Sequence, residues 1–452
     1  MAKEKYSKEQ KKIIRKFRSL AVKAFAAVML LGCIIGFLFL FRPSTSQVEK
    51  RKLTEFPKFT VSSFLDGSFF SQVSLWYSDT FPMRDTLIAA DKKVKDLYGV
   101  ESSTMMVGGH EQGDAIPTLG EKKEEKTAKK KDKEKETEDK TEKEENKEPV
   151  AAPDSQEMEA EIQNQIQQGL YVKDGAAYSV YYFNQNAAET YTDALNQAAE
   201  KLDGIANVYS LLVPNNSGAM LSEKELKGLG GSDQEQAISY YHSLYDKVTP
   251  IKTIETLREH KDEYLYFRTD HHWTQLGAYY VYQQLMNEWG MLPYLDYRVE
   301  TVSTEFYGTY YSKANNHHLK PDAIQLYIPN DEVEFSVTWD AQNEALDGLY
   351  NYDYLNQKDK YSMFINGNHP LTIVKSSMKN GKKLIVFKDS YAHNFVPFLA
   401  MNFEEIHLID LRYFNMNPYE YIREHDFDRA LFLYNLSTFG TDSTFVKLKA
   451  FK

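Results

Sequence analysis

The chain has a single cysteine, Cys33, among 452 residues. No disulfide can form within it, so its stability has to come from a packed core. An exported protein of this kind suits a bacterium that does not rely on disulfides. The chain also lacks an excess of positive charge. Its formal net charge is −11, which argues against nucleic-acid binding. Zinc-site spacings are missing too, since no paired cysteines and no His-x-x-x-His occur. No metal and no cofactor are expected. Aromatic residues are abundant, with 32 tyrosines and 26 phenylalanines. Aromatics fill cores, and they also suit carbohydrate contact, because a ring can lie on the apolar face of a sugar.

Residues 1–23 are rich in Lys and Arg, and "AFAAVMLLGCIIGFLFLF" (Ala24–Phe41) carries no charge. A run of roughly 18 apolar residues is near the lower limit for crossing a bilayer. The basic flank is expected in the cytoplasm and the rest of the chain outside. The expectation is therefore a single-pass cell-membrane protein with an extracellular domain. Two alternatives are a cleaved signal peptide and lipid attachment at Cys33 in "LLGC". All three export the C-terminal part.

Residues 42–110 read as an extended stalk followed by helical stretches broken at Phe81–Pro82, because proline disfavours helix in the residue before it. Residues 111–157 contain "EKKEEKTAKKKDKEKETEDKTEKEENKEP", in which both charge signs mix and no apolar face exists. Such a segment buries too little to offset chain entropy, so a disordered insertion is expected. Residues 158–452 alternate helix and strand. Expected strands are Asn207–Val213, Tyr264–Phe267, Lys383–Phe387, Glu405–Leu411 and Arg429–Asn435. Expected helices cover "TYTDALNQAAEKLDGI", Asp233–Val248, "TQLGAYYVYQQLMNEWG" and "SYAHNFVPFLAMN". The pattern predicts an α/β three-layer sandwich with a mostly parallel sheet, whose sites lie at the C-terminal strand ends.

Two segments occupy such ends. Asp270, His271 and His272 stand in "YFRTDHHWTQLGAYY", and Asp389–Ser390 in "LIVFKDSYAHNF". A serine nucleophile needs a base, and the base needs an orienting acid. Asp-x-His could supply both from one turn: His272 as base, Asp270 as acid and Ser390 as nucleophile. Free backbone N–H groups beside Ser390 could receive an oxyanion. The plainer reading makes Thr269, Asp270 and Ser390 helix caps. His393 is a rival base, although on a helix it would sit at the surface. A metal reading would combine Asp270, His271 and His272 with His317 and His318.

"TDHHWT", followed by Gly277, resembles the signature of the DHHW proteins. These are similar to the alginate O-acetyltransferase group, which has the SGNH hydrolase fold. "EFPKFT", "YSDTFPMRD", "FYGTYYSK", "FINGNHPL" and "LIDLRYF" agree. The resemblance implies an extracytoplasmic serine O-acetyltransferase acting on a cell-surface polysaccharide through acyl-Ser390. A polysaccharide O-acetylesterase and a non-catalytic glycan-binding scaffold are the alternatives. It also implies Asp270, His272 and Ser390 as the catalytic residues. Arg412, Tyr391 and Asn368 would contact substrate or the oxyanion, and His271 would have a supporting role. A membrane-bound O-acyltransferase partner would supply acetyl groups. Lys388-Asp389-Ser390 lacks the glycine of the familiar Gly-Asp-Ser block, and Asn368 and Asn435 compete for the place of the SGNH asparagine.

Overall fold

The computed structural model describes residues 169–314, 319–340, 345–441 and 443–451, together with 104–107, 113–117 and scattered positions between 23 and 86. The expected membrane span lies outside the described residues, and so does the insertion expected over 111–157 except for 113–117, where Asp114 N donates to Phe183 O at 2.7 Å. Among the described residues no helix is long and apolar enough to cross a membrane. Two compact units form, 1–102 and 103–452. In the first, the Arg42 guanidinium lies 3.9 Å from the Trp76 ring centre and donates to Thr80 Oγ1 at 2.8 Å. The turn at Thr80–Pro82 separates helical residues on either side, as the proline predicts.

The second unit starts with a small antiparallel sheet of β1 (Thr104–Val107), β2 (Leu170–Lys173) and β3 (Ala176–Ser179). There follow α1 (Gln185–Lys201), β4 (Asn207–Val213), α2 (Gln234–Ser243), β5 (Val248–Pro250) and α3 (Gln275–Glu288). Next come β6 (Tyr297–Phe306), α4 (Thr309–Ala314), β7 (Asp322–Pro329), β8 (Phe335–Trp339) and β9 (Ala345–Asp347). The chain continues through β10 (Leu371–Ser376), β11 (Lys383–Lys388), β12 (Glu405–Ile409), α5 (Pro418–His425) and β13 (Arg429–Asn435).

Eight strands make the central sheet, in the order β9-β8-β10-β12-β11-β13-β4-β5. The pairings from β12 through β5 are parallel, and those from β9 through β12 are antiparallel. The sheet is therefore mixed, with an antiparallel edge that periodicity alone did not predict. Period-two alternation sends its side chains into two cores. Ile385, Phe387, Ala430, Phe432 and Leu212 face the core shared with α1, α2 and α5. Leu384, Val386, Leu431, Leu433 and Leu211 face the core shared with α3. A one-residue register slip would exchange these sets, so burial on both faces fixes the register.

Tyr264–Phe267 is not a strand of the sheet. It folds back as an irregular turn, with an isolated antiparallel bridge between Tyr266 and Trp273. Thr274 N donates to Leu265 O at 2.8 Å and closes the turn. Gly277 permits this approach, since a Cβ there would lie 2.5 Å from Leu265 O. The segment after Ser390 also differs from the long helix expected. It is a 3₁₀ turn, Ser390–Ala392, and then a single helical turn, Val396–Leu399. His393 is buried there rather than exposed.

Candidate active site

The base turn is shaped by a buried acid outside it. Asp322, at the start of β7, is fully buried. It accepts from Arg268 N at 2.8 Å, Thr269 N at 2.8 Å and Thr269 Oγ1 at 2.5 Å, and also from the Tyr264 hydroxyl. These bonds take up backbone N–H groups that would otherwise be orphaned. The helix cap that follows is Thr274, whose Oγ1 accepts from Gly277 N at 3.3 Å. Neither Thr269 nor Asp270 caps it.

On the nucleophile turn, Asp389 is the cap. Its Oδ1 accepts from Tyr391 N at 2.9 Å. Its Oδ2 accepts from Asn435 N at 2.8 Å and Thr438 Oγ1 at 2.7 Å. Ser390 is thus relieved of capping and is half-buried. Among the described residues the Ser390 amide has no acceptor.

With both caps assigned elsewhere, the remaining groups meet. His272 Nδ1 lies 2.6 Å from Asp270 Oδ1, and His272 Nε2 lies 2.7 Å from Ser390 Oγ. A carboxylate only accepts, so Nδ1 carries the proton and Nε2 is free to accept from the serine hydroxyl. The other oxygen, Asp270 Oδ2, accepts from Thr309 N at 2.9 Å and Thr309 Oγ1 at 3.2 Å. Tyr361 stacks on the His272 ring at 3.6 Å and 8°, and its hydroxyl donates to Ser390 O at 3.0 Å. The imidazole is therefore fixed at both nitrogens and on one face.

Electrostatics separate the three acids. Burial alone would raise Asp270, but the charges of His271 and His272 and the bonds from His272 and Thr309 outweigh it. The carboxyl lies well below its ordinary range. Burial pushes Asp322 and Asp389 up, against their hydrogen bonds. Burial also pushes His271 down to about 3, with His272 adding to the effect. His271 is accordingly neutral at working pH, and its Nδ1 meets Thr309 Oγ1 at 2.9 Å.

The other residues singled out in the sequence are occupied. The Tyr391 hydroxyl donates to His271 O, and its amide is held by Asp389. Arg412 holds Asp410 in a fork, Nε–Oδ1 at 2.8 Å and Nη2–Oδ2 at 2.5 Å. Asn368 Oδ1 accepts from Lys388 Nζ at 3.0 Å. Asn435 Nδ2 donates to Val213 O at 3.2 Å. His393 Nε2 lies 2.9 Å from Lys388 Nζ and does not reach Ser390.

Asp270, His271 and His272 bring potential metal ligands within 4.8 Å of one another. Their atoms are turned on each other and on Thr309, which fits a hydrogen-bonded relay better than a metal site. His317 and His318 lie outside the described residues. Sequence reasoning gave no role to Thr309, Gly308, Tyr361, Asp322 or Lys388. The first two lie in "FYGTYYSK", where the signal was a glycine before a Thr. A Cβ at Gly308 would lie 2.3 Å from Asp270 Oδ2.

A DHHW family protein from Eubacterium siraeum has a similar structure. Identity is 26% and the TM-score 0.56, over 64% of this chain and 96% of that one. Bacillus cereus PatB1 is similar at 22% identity and TM-score 0.50, covering 61% and 98%. The same protein with a sulfonyl adduct gives 21% and 0.51, covering 61% and 97%. The PatB1 likenesses concern the fold alone. No curated protein sequence matches significantly. The profile of the family described as DHHW protein matches residues 49–409, and with most of its length inside that match, the chain belongs to the DHHW family.

Proposed function

We propose that the protein is a serine-dependent O-acetyltransferase that modifies a cell-surface polysaccharide or cell-wall glycan. The observation that supports this best is the unbroken Asp270–His272–Ser390 hydrogen-bond series at the C-terminal end of β11. In the first half-reaction Ser390 Oγ attacks the donor's acetyl carbonyl while His272 Nε2 takes its proton. The tetrahedral intermediate collapses, the C–O bond to the leaving group breaks, and His272 returns the proton to that group. In the second half-reaction a sugar hydroxyl gives its proton to His272 and attacks acyl-Ser390. The new ester forms and Ser390 Oγ recovers the proton. Asp270 stabilises the imidazolium of each intermediate. The Ser390 amide, which has no acceptor among the described residues, is left to donate to the oxyanion of each intermediate.

In this reading residues 1–23 are a cytoplasmic tail and 24–41 a single membrane span. Residues 42–110 form a stalk, 111–157 a charged spacer and 158–452 the extracellular catalytic domain. Acetyl-CoA is absent outside the cell, so a membrane-bound O-acyltransferase is the proposed donor.

The test uses the full chain with p-nitrophenyl acetate. Wild type is compared with Ser390→Ala and His272→Ala, with circular dichroism to check folding and intact mass to find an acetyl adduct. Turnover should drop roughly 10⁶-fold in each variant, and the adduct should map to Ser390. Acceptor glycans then separate transfer from hydrolysis: acetate release with no acetylated glycan favours an esterase. No adduct and no turnover above the folded variants would sink the acyl-transfer reading and favour a glycan-binding scaffold.

A further inference from the structure

His271 stands between the acid and the base of the relay, yet the acyl transfer does not use it. Its ring lies 3.7 Å from that of His272, centre to centre, and its side chain is 11% exposed. Thr309 decides where its proton sits. The Thr309 hydroxyl donates to Asp270 Oδ2 at 3.2 Å, so its oxygen has only lone pairs left for His271 Nδ1, 2.9 Å away. Nδ1 therefore carries the proton. Burial and the neighbouring His272 keep the ring neutral at working pH. Nε2 is then a lone pair, which accepts and cannot donate. Among the described residues nothing donates to it.

The His271 ring lines a small polar cavity, partly open to the outside, together with Tyr310, Tyr391, Asn215, Asn435 and Ser437. The cavity has room for about one water-sized group. Its walls come from the C-terminal ends of β4 and β13 and from the residue after Ser390, where parallel sheets bind their ligands. Polar groups of the walls bond to one another. Asn215 Nδ2 donates to Ser437 Oγ at 2.7 Å, Ser437 N to Asn435 Oδ1 at 3.0 Å, and the Tyr391 hydroxyl to His271 O. With Nδ1 held by Thr309, Nε2 is the ring nitrogen left for the cavity. A buried acceptor without a donor is costly, and an apolar side chain would fill the same space without that cost. The histidine calls for a donor from outside the chain. No carboxylate lines the cavity, so a hydroxyl suits it better than an ammonium. Because the two imidazoles are adjacent, hydroxyls on neighbouring carbons of one sugar can reach one ring each.

We propose that this cavity is the acceptor subsite of the transfer, in which His271 Nε2 accepts from the sugar hydroxyl next to the one that His272 deprotonates. This rests on the acyl-transfer reading above. The substrate class is a glycan with a vicinal diol at the acetylation site. The held hydroxyl keeps its proton, and its neighbour attacks acyl-Ser390.

The test acylates the full chain with p-nitrophenyl acetate in the presence of one of three alcohols. These are the trans cyclohexanediol with hydroxyls on neighbouring carbons, its monomethyl ether, and cyclohexanol. Ester and free acetate, each corrected for Ser390→Ala, both come from acyl-Ser390. Their ratio is therefore independent of the first half-reaction and of the amount of folded protein. Per hydroxyl, the ratio for the diol should exceed that for the other two roughly tenfold, as for one hydrogen bond. The ether keeps an oxygen at the cavity but has no proton to give. His271→Phe should lose the preference for the diol, and His271→Gln, whose amide oxygen can accept, should retain part of it. Equal ratios for the diol and its ether in wild type would overturn the proposal and leave the cavity to a fixed water. A preference that persists undiminished in folded His271→Phe would overturn it too. If His271→Phe does not fold, the wild-type comparison of diol and ether decides. Failure of the underlying reading looks different. Wild type would then form no acyl-Ser390, or would release acetate and make no ester with any of the three alcohols.

Discussion

The two turns that meet at His272 and Ser390 are built in opposite ways. The nucleophile turn is an extension of the sheet: β11 runs straight into it, and Asp389 fastens it to the end of β13 through Asn435 N. The base turn has no strand beneath it. Its shape comes from Asp322, Thr309 and Gly308, contributed by a region some 40 to 50 residues further along. The nucleophile side therefore inherits its rigidity from backbone ladders that almost any apolar sequence could make. The base side depends on a few particular polar side chains.

That contrast can be broken from its centre outward. Among changes that leave His272 and Ser390 in place, Asp270→Asn should cost the most, roughly 10⁴-fold in kcat, because the neutral amide no longer selects the Nδ1–H tautomer. Asp270 also links stability to pH. Its folded carboxyl lies below the ordinary range near 4. Its contribution is therefore fully present above about pH 4 and is lost as pH falls through the lower folded value. The stability gap between wild type and Asp270→Asn, measured by urea unfolding, should narrow from pH 7 to pH 3. An unchanged gap would contradict this.

Removing the outside acid comes next. Asp322→Ala should destabilise the protein by about 3 kcal/mol, because it orphans buried donors of the base turn. Thermal unfolding reads this directly. Gly308→Ala should leave the fold largely intact and lower kcat roughly 100-fold, since a methyl must displace the Asp270 carboxylate. The smallest effect belongs to the nucleophile side. Thr438→Val removes one of three bonds to Asp389 and should cost about 1 kcal/mol, with kcat within a few-fold of wild type. A Thr438→Val loss in kcat as large as that of Gly308→Ala would erase the distinction between the turns.

The same contrast explains what the sequence made legible. Continuous apolar runs marked Asn207–Val213 and Arg429–Asn435 to the residue, because burial on both faces leaves a clear pattern. The place of Ser390 followed from its strand. Tyr264–Phe267 looked like a strand for the same reason, yet its apolar residues serve a turn whose backbone bonds go to His272 and Thr274 and whose next two amides, Arg268 N and Thr269 N, go to Asp322. Local periodicity carries no information about an acid some 50 residues away. Thr309, Gly308 and Tyr361 were invisible on the same ground, since each acts only through a contact across the fold. The antiparallel edge was hidden because β8 and β10 are short and lie within an irregular aromatic stretch.

Trp273 has a consequence for how the chain reaches this state. Its indole donates to Tyr391 O at 2.9 Å, and Asn394 Nδ2 donates back to Trp273 O at 2.6 Å. The two turns are thus stitched across a chain separation of 118 to 121 residues. Closing so long a loop is entropically uphill until the sheet between has formed. The relay therefore belongs to the last events of folding, and partly folded molecules contribute nothing to turnover. Recovery of activity during refolding would then trail recovery of helical signal, and the lag would time the meeting of the two turns.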